Sequence, residues 1–214
     1  MPDPYGREAP ALVLFDIDGT LLRRSGPHHR EALVVAVRQV TGRASTTDGI
    51  PVQGMLDGDI FHAMLRNAGL PESEIPTHLP ALMRHAQWFY ARNCPPDLRH
   101  AVCPGVAGCL ETLRRRRVLR ALVTGNLARI GWKKMERAGL KRFFRYGAFA
   151  DQGRTRAELA GNAIRHAREQ GWINARTPIS LIGDHPNDIN AARANGIRSI
   201  AVATGVVSKD ELAE

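Results

Sequence analysis

The chain has 214 residues, 43% of them hydrophobic, and a formal net charge of +9. That is enough apolar material for one full core, or a core with an insert, and no apolar run reaches the roughly 18 residues of a membrane span. Met1–Pro10 shows no leader-like apolar stretch, and Cys94, Cys103 and Cys109 follow no zinc or redox spacing, so reduced thiols in a cytoplasmic protein are expected.

The first apolar run, Ala11–Phe15, reads as a strand and leads straight into Asp16-Ile17-Asp18-Gly19-Thr20. In an extended chain, residues i and i+2 point to one side, which places Asp16 and Asp18 together. Two neighbouring carboxylates repel unless a cation, a shared proton or a substrate offsets their charge. From Arg23 to His100 the sequence carries helical patterns and no strand. Leu33, Val37 and Val40 mark one helix; Ile60, Met64, Leu65 and Ala68 mark a second, with Gly69 past its end. Leu79, Leu82, Met83, Ala86, Phe89 and Tyr90 mark a third, ahead of Pro95-Pro96.

After residue 100, helix and strand alternate. A helix carrying Val106, Cys109, Leu110 and Leu113 precedes the strand Val118–Val123, which ends in Thr124-Gly125-Asn126. The helix Ile130–Ala138 stops at Gly139, and the strand Tyr146–Ala150 is followed by Asp151, Arg154 and Arg156. The helix Ala157–Arg168 leads to the strand Ile179–Ile182, then to Asp184 and Asp188, the helix Ile189–Ala194 and the strand Ser199–Val202. This order predicts an α/β core, a doubly wound parallel sheet of Rossmann-like type. The core would take residues 1–22 and 101–214, with an all-helical cap over 23–100.

Charge is unevenly spread. Between Arg114 and Arg145 twelve basic residues face one acid, Glu136, for a net +11. A solvated helical face is the first reading, and a docking surface for an anionic partner is the second. Aromatic residues interleaved with the charge on strands are missing, so nucleic acid is not the expected partner.

If the sheet is parallel, the polar residues at the strand ends collect on one edge, where ligands bind in such folds. Asp16, Asp18, Asp184 and Asp188 would form an oxygen-rich site suited to Mg²⁺. Four motifs in this order resemble the haloacid dehalogenase superfamily: Asp16-Ile17-Asp18-Gly19-Thr20, Thr124, a basic residue at a helix start, and Gly183-Asp184-His185-Pro186-Asn187-Asp188. The insert resembles the helical cap of its phosphoglycolate phosphatase-like branch. Where similar members carry Gly-Lys-Thr-Asp, this chain has Gly54-Met55-Leu56-Asp57, so the usual leaving-group contacts are altered. Arg156, in Arg-Ala-Glu-Leu, fits the third motif better than Arg154.

The resemblance implies a phosphatase acting on a small phosphorylated metabolite. Asp16 would be the nucleophile and Asp18 the acid and base. Thr124, Gly125, Asn126 and Arg156 would hold the phosphate, and Asp16, Asp18, Asp184 and Asp188 the Mg²⁺. Thr124 also reads as an ordinary strand-end residue, and Asp188 as a helix N-terminal acid. Asp151 reads as a turn acid and His185 as an exposed loop residue. In the cap, Met55, Asp57, His62, Trp88, Phe89 and Tyr90 could meet substrate, although helix-spaced Met and aromatics read first as core. A phosphomutase of the same superfamily, and a silent anion-binding protein using residues 114–145, are the alternatives. The sequence gives neither the substrate nor the oligomeric state.

Overall fold

The computed structural model describes residues 8–23 and 25–212; most of the N-terminal stretch read as lacking a leader lies outside them. Strands β1 (Leu12–Phe15), β2 (Leu119–Val123), β3 (Tyr146–Ala148), β4 (Ile179–Gly183) and β5 (Arg198–Ala201) form one sheet in the order β3-β2-β1-β4-β5. Every pairing is parallel, with Phe15 opposite both Leu122 and Ile182. The predicted third strand runs two residues too long. Phe149 leaves the ladder because its N–H donates to the Gln152 side chain and its carbonyl accepts the Gln152 N–H.

Side chains alternate across the sheet, so each face has its own apolar layer. Leu12, Leu14, Ala121, Val123 and Leu181 pack with Leu159 and Ala163 of α6 (Arg156–Glu169) and Ala191 of α7 (Pro186–Ala194). On the other face, Phe15 and Leu122 pack with Leu110 of α4 (Val106–Arg115) and Met135 of α5 (Ala128–Arg137). Arg120 interrupts the apolar run of β2 yet is buried. Its guanidinium donates to the carbonyls of Phe143, at 2.8 Å, and of Val118, which satisfies the buried donors inside the fold.

The helical insert contains α1 (His28–Thr41), α2 (Asp57–Asn67) and α3 (Ile75–Asn93). Its valines do not prevent α1 from forming, since Leu33, Ala36 and Val37 are buried against neighbours and tertiary packing outweighs their weak propensity. The insert shares one apolar cluster with Leu127, Ile130 and a face of the sheet. Among the described residues, no helix is long and apolar enough to cross a membrane.

The basic 114–145 segment is not a single surface. Arg114–Arg117 are exposed at the end of α4, but Arg120 and Lys134 are buried, and Arg145 stacks 3.8 Å over the Trp172 ring.

Leu14 is fully buried in the central strand. Its replacement by Ala is expected to lower stability by about 2–5 kcal/mol, read as a lower midpoint in urea unfolding at unchanged slope.

Candidate active site

The chain leaves β1 toward β2 and β3 on one side, and later enters β4 and β5 on the other. The carboxyl ends of β1 and β4 are therefore the point where the winding reverses, which is where the ligand crevice lies in such sheets. Asp16 and Asp184 each follow one of these strands, and the Asp16 N–H donates to the Ile182 carbonyl at 3.0 Å.

Extended geometry ends at Phe15. The Ile17 carbonyl accepts the N–H groups of both Leu21 and Leu22, and Gly19 has φ +88°, a conformation that side chains disfavour. A Cβ at Gly19 would also lie 2.0 Å from Asp184 Oδ2. Asp16 and Asp18 stay near enough for the charge of one to act on the other, but the tight turn gives them different partners.

Asp16 faces inward. Its Oδ1 accepts from Arg156 Nη1 at 2.9 Å, and the same nitrogen donates to the Val123 carbonyl at 3.2 Å. Arg156 Nε lies 3.3 Å from Asp188 Oδ1 without forming a hydrogen bond, and both atoms are buried. Local sequence sets this placement, because the Thr155 hydroxyl caps α6 by accepting the Glu158 N–H at 3.1 Å. Arg156 thus starts the helix and is buried against the sheet, whereas Arg154 is exposed. The Thr20 hydroxyl donates to Asp184 Oδ1 at 2.9 Å.

Carboxylate oxygens of Asp16, Asp184 and Asp188 lie within 4.8 Å of one another, and all three residues are buried. Burial raises all three carboxyls. Arg156 counters it in part at Asp16 and Asp188, while Asp184 is pushed up to about 6 by burial and then by the Asp16 charge. Asp188 is also the N-terminal acid of α7, its Oδ2 accepting the His185 N–H at 3.3 Å, so its two readings coexist.

The Asp18 carboxylate is not among the clustered ligands, although its charge still acts on Asp16 and Asp184. Its Oδ2 accepts from Lys134 Nζ at 2.5 Å and from Asn126 Nδ2 at 2.8 Å. Burial alone would raise the Asp18 carboxyl, but the Lys134 ammonium and His29 outweigh it, and the net shift is downward. Thr124 is buried at the end of β2, and its hydroxyl accepts from Asn126 Nδ2 at 2.7 Å. Asn126 therefore spends its amide on Thr124 and Asp18. Gly125 lies under the insert, where a Cβ would come 2.2 Å from the Met55 carbonyl oxygen.

The insert is fastened over this crevice by polar bonds. The Asp57 N–H donates to the Gly125 carbonyl at 2.8 Å, and Asp57 Oδ2 accepts the Leu127 N–H at 2.8 Å. Gln87 Oε1 accepts the Arg129 N–H at 2.8 Å, and Asp151 takes the Ala128 N–H at 3.2 Å, so Asp151 caps α5. Asn187 Nδ2 donates to the Gly54 carbonyl at 2.9 Å, and the partly buried His185 lies against Gly54. Asp57 is thus a junction residue. His62 pairs with Glu72, Trp88 is 49% exposed beneath Arg92, and Tyr90 is core.

Sequence reasoning missed two residues, Lys134 and His29. Lys134 lies four positions after Ile130 on the buried face of α5, and a cation on an apolar face demands partners. That spacing was a usable signal. His29 carried none.

The crevice, its acids and the helical insert define a class, and the sequence agrees. The family profile "haloacid dehalogenase-like hydrolase" matches residues 10–196, and the chain belongs to that family of enzymes. It is 28% identical to phosphoglycolate phosphatase 1 of Pseudomonas aeruginosa over 94% of this chain and 72% of that protein. It is 25% identical to tyrosine-protein kinase PtkA of Mycobacterium tuberculosis over 92% of this chain, but spans only 64% of that protein. Its fold is similar to a haloacid dehalogenase-like hydrolase structure from Streptococcus pneumoniae, with a TM-score of 0.59 at 18% identity, covering 95% of this chain and 89% of that one.

The raised carboxyls fix a pH signature. Asp184 moves from an ordinary 3.8 to about 6 on folding, so the metal-free folded protein holds a proton that the unfolded chain has released. Its contribution is fully present below about 3.8 and is lost as pH rises through about 6. Thermal unfolding in excess chelator is expected to shift to lower temperature across this range, and Asp184→Asn to shrink that shift. An equal pH dependence in both proteins would contradict it.

Proposed function

We propose that this protein is a Mg²⁺-dependent phosphatase that hydrolyses a small phosphomonoester through an aspartyl-phosphate on Asp16. The observation that carries the reading is the buried group of Asp16, Asp184 and Asp188, countered by the guanidinium of Arg156. Its donors are all oxygen, and Asp188 Oδ1 is buried without a hydrogen-bond partner, which suits a hard divalent cation. Asp16, Asp184 and Asp188 would hold Mg²⁺, which when bound supplies the positive charge that offsets repulsion between these acids and the phosphate.

The remaining work falls to the chain's own residues. An Asp16 oxygen bonds to phosphorus as the bond to the ester oxygen breaks, and Asp18 gives that oxygen its proton. Water then attacks phosphorus, Asp18 takes the water's proton, and the bond to Asp16 breaks to free inorganic phosphate. Arg156 orients Asp16, and Thr124 with the adjacent main chain receives the phosphate oxygens. Asn126 orients Asp18 instead of binding phosphate, because its amide is already committed. The Met55 main chain covers Gly125 so closely that no side chain would fit between them, and this close cover favours a small ester. The insert keeps bulk water from the phosphorylated aspartate.

Purified protein is expected to release phosphate from members of a phosphomonoester panel that includes p-nitrophenyl phosphate. EDTA should silence the release and Mg²⁺ restore it. Asp16→Asn should reduce turnover by at least about 10³-fold with the unfolding transition retained. Phosphate release that survives chelation, or persists in the Asp16→Asn protein, would overturn the reading.

A further inference from the structure

Lys134 lies outside every motif, on a helix that contributes no other side chain to the acid group, and its side chain is 1% exposed. A buried ammonium is stable only when its donors are engaged. Its nitrogen meets Asp18 Oδ2 at 2.5 Å, Asn126 Oδ1 at 2.7 Å and His29 Nδ1 at 3.1 Å. With Nδ1 accepting from Lys134, His29 Nε2 carries the proton and donates to Asp57 Oδ2 at 3.0 Å. Asn126 adds a second bond to the same Asp18 oxygen, at 2.8 Å. The bonds from Lys134 and Asn126 thus converge on Oδ2, and neither reaches Oδ1.

The geometry points to Lys134 as the positioning residue for Asp18: it holds Oδ2, so the carboxylate stays clear of the metal-binding group and keeps Oδ1 for proton transfer. This rests on the reading of Asp18 as the proton carrier. His29, anchored by Asp57, ties the arrangement to the insert. Without the ammonium, Asp18 is free to turn toward the other acids and their cation, away from the ester oxygen. A purely structural role makes a different forecast. If Lys134 only bolts the insert down through His29, its loss acts regardless of what residue 18 is.

The two are separated by a double-mutant cycle with p-nitrophenyl phosphate and saturating Mg²⁺. Asp18 is 42% exposed, so Lys134→Met leaves no sealed unpaired charge, and a folded protein is expected. Lys134→Met should lower kcat about 100-fold with KM within threefold, and Lys134→Arg, which keeps a cation, should recover at least about tenfold of it. In the Asp18→Asn background, Lys134→Met should change kcat by less than about threefold, because the group it positions is already gone. An equal loss in both backgrounds, or undiminished kcat in Lys134→Met, overturns the proposal. Undiminished turnover in Asp18→Asn alone refutes instead the proton-carrier reading beneath it. Should Lys134→Met not fold, Lys134→Gln, which keeps hydrogen bonding without charge, takes its place in the same cycle with the same two outcomes.

Discussion

Three carboxylates packed beside one guanidinium set the terms for the rest of this structure. Bringing Asp16, Asp184 and Asp188 within reach of each other inside a protein is unfavourable, since burial and mutual repulsion both oppose ionisation. Arg156 relieves only part of that strain. The sheet must therefore hold the acids in place by other means: the strand ladder between β1 and β4, the Thr20 hydroxyl on Asp184, and the cap of α7 on Asp188. Gathering these acids opposes folding locally, and the apolar layers on both faces of the sheet offset it.

The first-motif aspartates show how a short peptide can serve two environments. Had β1 continued through Asp18, both carboxylates would have pointed into one crevice and competed for the same counter-charge. The turn closed on the Ile17 carbonyl sends them to different cations, Arg156 from α6 and Lys134 from α5. One acid is left facing the buried group. The other is partly open to solvent, and the Lys134 ammonium draws its carboxyl downward.

Much of this was legible in the sequence, and the exceptions have physical causes. The first, second and fourth strands announce themselves through nearly unbroken apolar runs, and all five appear within two residues of their predicted limits. The convergence of Asp16 with Asp184 followed from parallel strand order alone. The turn after Phe15 did not, because it depends on main-chain bonds to Ile17 that leave no periodic signature. The arginine run of 114–145 suggested a surface, but Arg120 sits in a strand and Lys134 on the apolar side of a helix. Charge counted along the chain says little about charge in space. Nothing in the sequence around Asn126 signals that its amide donates to Thr124 and Asp18, since those partners are set by the packed fold.

The first turn of α5 has its N–H groups taken partly by the insert, through Asp57 and Gln87, and partly by Asp151 of the core. Donors at a helix start have no partner within the helix, so water can replace a side-chain oxygen there with little net change in free energy. The polar part of the cover's attachment is thus one that solvent can substitute bond for bond, and the apolar packing against Leu127 and Ile130 is the part it cannot replace.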